Sequence, residues 1–183
     1  MEPYCLPFNL WGKQMFKPRF AISVFALAIS MIWLPGLAQA ADQPFQRFLP
    51  LLVDLSGWDG KKPDGMSMQM SDTSMTTATR DYERGAAKVH AIVMVGQAAE
   101  GALAPLEGGM NLQMPDGHMV TTTVRGMTVL KAYNNKDKSG SLMVALDKNA
   151  MFNFAYEGMA EEEALALADK FDWKALQAVA QTK

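Results

Sequence analysis

The sequence predicts an α+β protein, a mainly antiparallel β-sheet covered on one face by a C-terminal helix and a shorter middle helix. Three observations carry this expectation. Successive segments alternate apolar and polar residues with period two, as half-covered strands do. Turn-forming stretches such as Pro115-Asp116-Gly117 and Asn134 to Gly140 separate those segments at hairpin spacing. From Glu161 onward the period becomes helical, and strands followed by segregated helices define the class.

In chain order, Phe45 to Leu55 is an apolar entry segment, short helical or extended, interrupted by Pro50. Trp58 sits in a glycine-flanked turn, where an aromatic most often caps a core, and Lys61 to Gly65 is turn chemistry. Met66, Met68 and Met70 alternate with polar neighbours, and Thr76 to Glu83 is rich in strand-forming types. Ala87 to Val95 places Val89, Ala91, Val93 and Val95 on one face, leaving His90 on the other. Gln97 to Leu106 has helical spacing but is kept short by Gly101 and Pro105. Gly108 to Met114 is glycine-loosened, with Pro115-Asp116-Gly117 as a hairpin turn after it.

His118 to Arg125 and Met127 to Tyr133 read as strand on both sides of Gly126, a bulge or a tight turn. Ser141 to Leu146 and Met151 to Tyr156 form the next pair. Glu161, Glu162 and Glu163 then favour the positive end of a helix, along which Leu165, Ala168 and Phe171 make an apolar stripe. Asp172 caps a second short helix containing Trp173, Leu176 and Val179.

The N-terminal forty residues read differently. Lys13, Lys17 and Arg19 flank an apolar run from Phe20 to Leu34, ended by Pro35-Gly36. Ala38-Gln39-Ala40 supplies the small–x–small pattern of a signal peptidase site, with cleavage before Ala41. The run is shorter than the roughly 20 residues of a spanning helix. Residues 1–40 are therefore expected to be a cleavable signal peptide, with Met15 a more usual start than Met1. Residues 41–183 are expected to be a single periplasmic or secreted domain, touching the membrane only transiently through the signal. The sole cysteine, Cys5, precedes the apolar run, so the mature domain is cysteine-free.

After residue 40 the chain carries 14 Lys or Arg against 18 Asp or Glu, without a basic stretch that would neutralise nucleic-acid phosphates. Catalytic motifs are not recognisable. Lys138-Ser139-Gly140-Ser141 lacks the setting of a nucleophile elbow, and Gly108-Gly109 is not a phosphate loop. The two histidines, His90 and His118, have no carboxylates or cysteines at metal-ligand spacing. The glutamates of residues 161–163 are accounted for by the helix dipole.

Methionine gives the sharpest signal. Twelve follow residue 40, with Met66, Met68, Met70 and Met75 clustered in one segment. Thioethers are soft ligands that select Cu(I) and Ag(I), and spacing of two places side chains on one edge about 7 Å apart at the backbone. The competing reading is a strand face buried against a helix, with methionine as adaptable filler. Its spread to Met94, Met127, Met143 and Met151 favours that reading. Met110, Met114, His118 and Met119 are a second candidate cluster.

Arg125-Gly126-Met127 to Tyr133, Lys138 to Leu142, Phe152 to Gly158 and Phe171 to Leu176 resemble segments of small exported bacterial proteins of unassigned function. Gly57-Trp58 and Gly65 to Met68 are similar to the same group. The resemblance implies export and no particular activity. The expectation is thus a non-enzymatic envelope binding or accessory protein of unknown ligand or protein partner, without a cofactor. Thr121, Thr123, Arg125, Arg80 and Tyr82 are its candidate polar contacts. The alternative is a copper-binding accessory protein using the four clustered methionines.

Overall fold

The structure is a computed structural model and describes residues 43–182 except Asp72. The expected signal segment and its cleavage residues Ala38, Ala40 and Ala41 lie outside the described residues. Two 3-10 turns, Pro44–Arg47 and Leu49–Leu51, lead into β1 (Asp59–Gly60), β2 (Asp64–Met70), β3 (Thr73–Arg84) and β4 (Ala87–Gly96). Helix α1 (Gln97–Glu107) precedes β5 (Asn111–Met114), β6 (Gly117–Val124), β7 (Met127–Asn134), β8 (Ser139–Asp147) and β9 (Ala150–Glu157). Helices α2 (Glu161–Ala168) and α3 (Trp173–Gln181) close the chain.

Every described strand joins one antiparallel sheet of order β1-β3-β4-β9-β8-β7-β6-β5, and β2 continues the edge by pairing with β3 beside β1. The expected alternation produces this sheet, but both of its faces are apolar at the centre. Val89, Ala91, Val93, Val129, Val144, Phe152 and Phe154 build the larger core together with Phe48, Leu52, Ala168, Phe171, Trp173 and Leu176. Phe171, between α2 and α3, packs against Phe152 and Phe154 with ring centroids 5.1 and 5.8 Å away. The alternate residues Met94, Leu130, Met143 and Met151 meet Ala99, Leu103 and Leu106 of α1 in a separate cluster.

This corrects the expected arrangement of helices. The C-terminal helices and the middle helix do not share a face; α1 covers the opposite one. The physical reason is that methionines occupy the alternate positions of the central strands and need a cover of their own.

Local chemistry fixes the ends of the elements. Asp172 Oδ1 accepts from Ala175 N at 3.0 Å, the expected cap of α3. Arg125 and Gly126 both have positive φ, 55° and 81°, so Gly126 belongs to a tight turn between β6 and β7. Asn111 to Met114, expected to be loosened, forms a strand because the Pro115-Asp116 turn folds it back on β6. Gly65 has no side chain where the Phe45 ring rests; a Cβ there would lie 2.6 Å from Phe45 Cδ2.

Candidate functional site

The α1-bearing face is covered only at one end. Beyond the helix a transverse row of register partners runs Asp81, His90, Ala155, Ser141, Ala132, Met119 and Leu112 across β3, β4, β9, β8, β7, β6 and β5. Ala155, Ser141 and Ala132 are its small central members, so the sheet has little to fill the space above them. The result is an open trough of about 760 Å³, within the range of small-molecule sites.

The trough has a soft wall and a charged end. Met114 and Met119 line one side. At the other end, Lys88 pairs in register with Glu157 and with Glu83, and Lys61 Nζ lies 2.9 Å from Glu83 Oε1. That pair raises the Lys61 pKa and lowers that of Glu83, mainly through their shared hydrogen bond. Opposite charges alternate there, so the end presents no net field of one sign. In the next row, Asn153 Oδ1 is shielded from solvent and has no hydrogen-bond partner among the described residues.

His90 faces the trough, on the side away from the valines. Its Nδ1 lies 2.6 Å from Asp81 Oδ1. Such a pair orients an imidazole, yet the nearest serine in its row, Ser141, is two strands away. Two strand spacings are about 9.5 Å, well beyond proton-transfer reach. His118 stands on the opposite face, where its Nε2 is 3.2 Å from Glu161 Oε2 and Lys131 Nζ is 3.2 Å from Glu161 Oε1. The histidines therefore contact two separate carboxylates, Asp81 and Glu161, rather than sharing one centre. Glu161 both opens α2 and holds His118 and Lys131.

Several sequence candidates have other roles. Arg80 and Tyr82 are not exposed contacts. The Arg80 guanidinium donates to Leu52 O at 2.7 Å and Lys61 O at 2.9 Å and pairs with Asp54. Tyr82 is buried, and its hydroxyl donates to Val53 O at 2.7 Å. Both residues fasten the entry segment to β3, and burial pushes the Tyr82 phenol above its usual range.

Thr121 Oγ1 accepts from Met110 N at 3.0 Å, while Thr123 is exposed. Arg125 lies over the Trp173 ring at 5.2 Å and pairs with Asp169. The second methionine cluster does not include His118, which is on the face opposite Met114 and Met119; Met110 and Met119 both pack against the α1 cluster.

Met66, Met68 and Met70 are not buried. They stand on the α1-bearing face but at the β2 edge, 50, 43 and 64 % exposed. Met68 is the register partner of half-buried Met75. With Leu112 and Met114 at the opposite edge, they account for every exposed large apolar residue among the described residues. All five thus lie on the same face as the trough.

Among the described residues, no three His, Cys, Asp or Glu side chains gather to hold a metal ion, and no helix is long and apolar enough to cross a membrane. Comparison with protein-family models, curated proteins and solved structures finds no match. The floor of the trough at Ala132 and Ala155 was missed in the sequence because small side chains in a strand carry no chemical signature. Their recurrence at Ala132, Ser141 and Ala155 in three neighbouring strands is the signal, and it needs the register to be visible.

Proposed function

We propose that this is a non-enzymatic envelope protein, exported by its N-terminal segment, that binds a small amphipathic molecule in the trough. The observation that carries the reading is the row of small side chains at Ala155, Ser141 and Ala132, which leaves room for a slender ligand between the Met114 and Met119 wall and the charged end. An apolar ligand body lies over the alanines and against Met119. Its polar end reaches His90, Ser139 or the alternating charges of Lys88 and Glu157.

Two separated histidine pairs without an aligned nucleophile support binding rather than catalysis. Export is supported by the basic flank, the short apolar run and the Ala38-Gln39-Ala40 pattern.

The binding test uses cis-parinaric acid, a fluorescent fatty acid, with the protein as recovered from the cell. Wild type enhances the probe's emission saturably. Ala155→Trp fills the trough floor and weakens binding about tenfold, or about 1.4 kcal/mol, without changing the thermal melt. Equal binding by both proteins, or none by wild type, removes the trough reading. N-terminal sequencing of the recovered protein is expected to begin at Ala41. A product retaining its first methionine and partitioning with lipid would remove the export reading.

A further inference from the structure

We propose that the β2 edge is a thioether site for a soft monovalent cation, Cu(I) or Ag(I), formed by Met66, Met68, Met70 and Met75. The inference stands independently of the trough, because it rests on a different part of the face and on different chemistry.

Met68 and Met75 are direct register partners, and Met66 and Met70 pair with Thr77 and Thr73 on either side. Met75 is thus opposite one methionine of the row and diagonal to the other two. Directly opposed residues on one face have Cβ atoms about 5 Å apart, and diagonal neighbours at about 7–8 Å are within reach of long side chains. Unbranched methionine stems with three rotatable bonds can bring their Sδ atoms together over this patch. On the inner side Met75 is paired with Gly96, which has no side chain to crowd it.

Core packing explains Met94, Met143 and Met151, which lie in the α1 cluster, but it does not explain three methionines at 43 to 64 % exposure on an edge strand. A contiguous apolar row on an edge strand invites association, and edges are ordinarily protected with charge or proline. This edge instead presents a row of thioethers.

The row's cross-strand neighbours are the hydroxyl-bearing Thr73 and Thr77, and Asp64, at the start of the same face, already accepts from Gly65 N at 2.7 Å. A set of neutral soft donors selects Cu(I) and Ag(I) over hard divalent ions. The site only binds; no electron transfer is invoked.

The test is titration of Ag(I), and of Cu(I) under argon, into protein labelled with carbon-13 at the methionine methyls. The first equivalent is expected to shift the methyl signals of Met66, Met68, Met70 and Met75, leaving Met127 and Met159, buried in the larger core, unmoved. M66L/M68L/M70L preserves volume and apolar character but removes three sulfurs, and is expected to weaken Ag(I) binding about a hundredfold. Met68→Leu alone, which removes the sulfur facing Met75, is expected to weaken it about tenfold; both factors are order-of-magnitude values read as affinity ratios.

Retained affinity in both variants overturns the proposal, as does wild-type binding no tighter than micromolar. It also falls if the same methyl signals move with protein concentration in the absence of metal, since the row is then an interface between copies of the chain.

Discussion

Replacing Arg80 by methionine separates two contributions that meet at one side chain. The arginine is about 10 % exposed and its partner Asp54 about 89 % exposed. In Arg80→Met the unbranched thioether stem still covers Tyr82, but Leu52 O and Lys61 O lose their donors. The Leu52 bond, partly buried and charge-assisted, contributes about 2 kcal/mol, and the exposed Lys61 bond about 1 kcal/mol. Relief of the cost of burying a guanidinium offsets part of this, leaving a net loss of about 2 kcal/mol. The ion pair with so exposed a carboxylate contributes about 0–1 kcal/mol, so Asp54→Ala changes little.

Urea unfolding of both variants beside wild type measures the difference. Thermal melts should place Arg80→Met lower by about 6–8 °C. A loss below about 1 kcal/mol in Arg80→Met would refute the argument from the carbonyls. Equal losses in the two variants would assign the effect to the ion pair instead.

Gly140→Ala is expected to destabilise by about 1–3 kcal/mol through overpacking, since its Cβ would lie 2.3 Å from Ala132 O and 2.5 Å from the Tyr156 hydroxyl oxygen; the urea midpoint reads this. Burial raises the phenol pKa of Tyr82 and of Tyr156, with Glu161 adding to the effect at Tyr156. The folded protein therefore keeps protons that the unfolded chain releases above its ordinary tyrosine pKa of about 10. Stability is insensitive to these groups below about pH 10 and falls toward pH 12 by up to about 1.4 kcal/mol per tyrosine per pH unit. Denaturant titrations of wild type, Tyr82→Phe and Tyr156→Phe check that slope, which each substitution reduces. Limited peroxide treatment followed by mass spectrometry should oxidise Met66, Met68, Met70 and Met114 before buried Met127, Met151 and Met159; the reverse order would contradict the assigned exposures.

The sequence made the hairpins legible because turn chemistry and period-two alternation act locally. Asp172 as a cap and the paired C-terminal helices were likewise visible in short windows. The position of α1 was not, since the same methionines fit either a filler role in one core or a second apolar face. Only strand register puts Met94 beside Met151, and Met143 beside Leu130, under a separate helix. Arg80 shows the same limit. Its place in an alternating strand resembles a solvated one, and only the entry segment folding over β3 encloses it. The clustered methionines were conspicuous in the sequence, but whether they faced a helix or water depended on β2 being an edge.

The order of the strands also bears on how the protein acquires its structure. The last described strand, β9, lies between β4 and β8, pairing Ala91 with Phe154 and Leu142 with Phe154. Hairpins on either side can form from neighbouring segments, but joining the two halves requires β9 to find β4 across α1 and four intervening strands. Pairing across so long a separation in the chain slows folding. The seam between β4 and β9 is accordingly the part of the sheet expected to close last, with the hairpins on either side already formed when Ala91 meets Phe154.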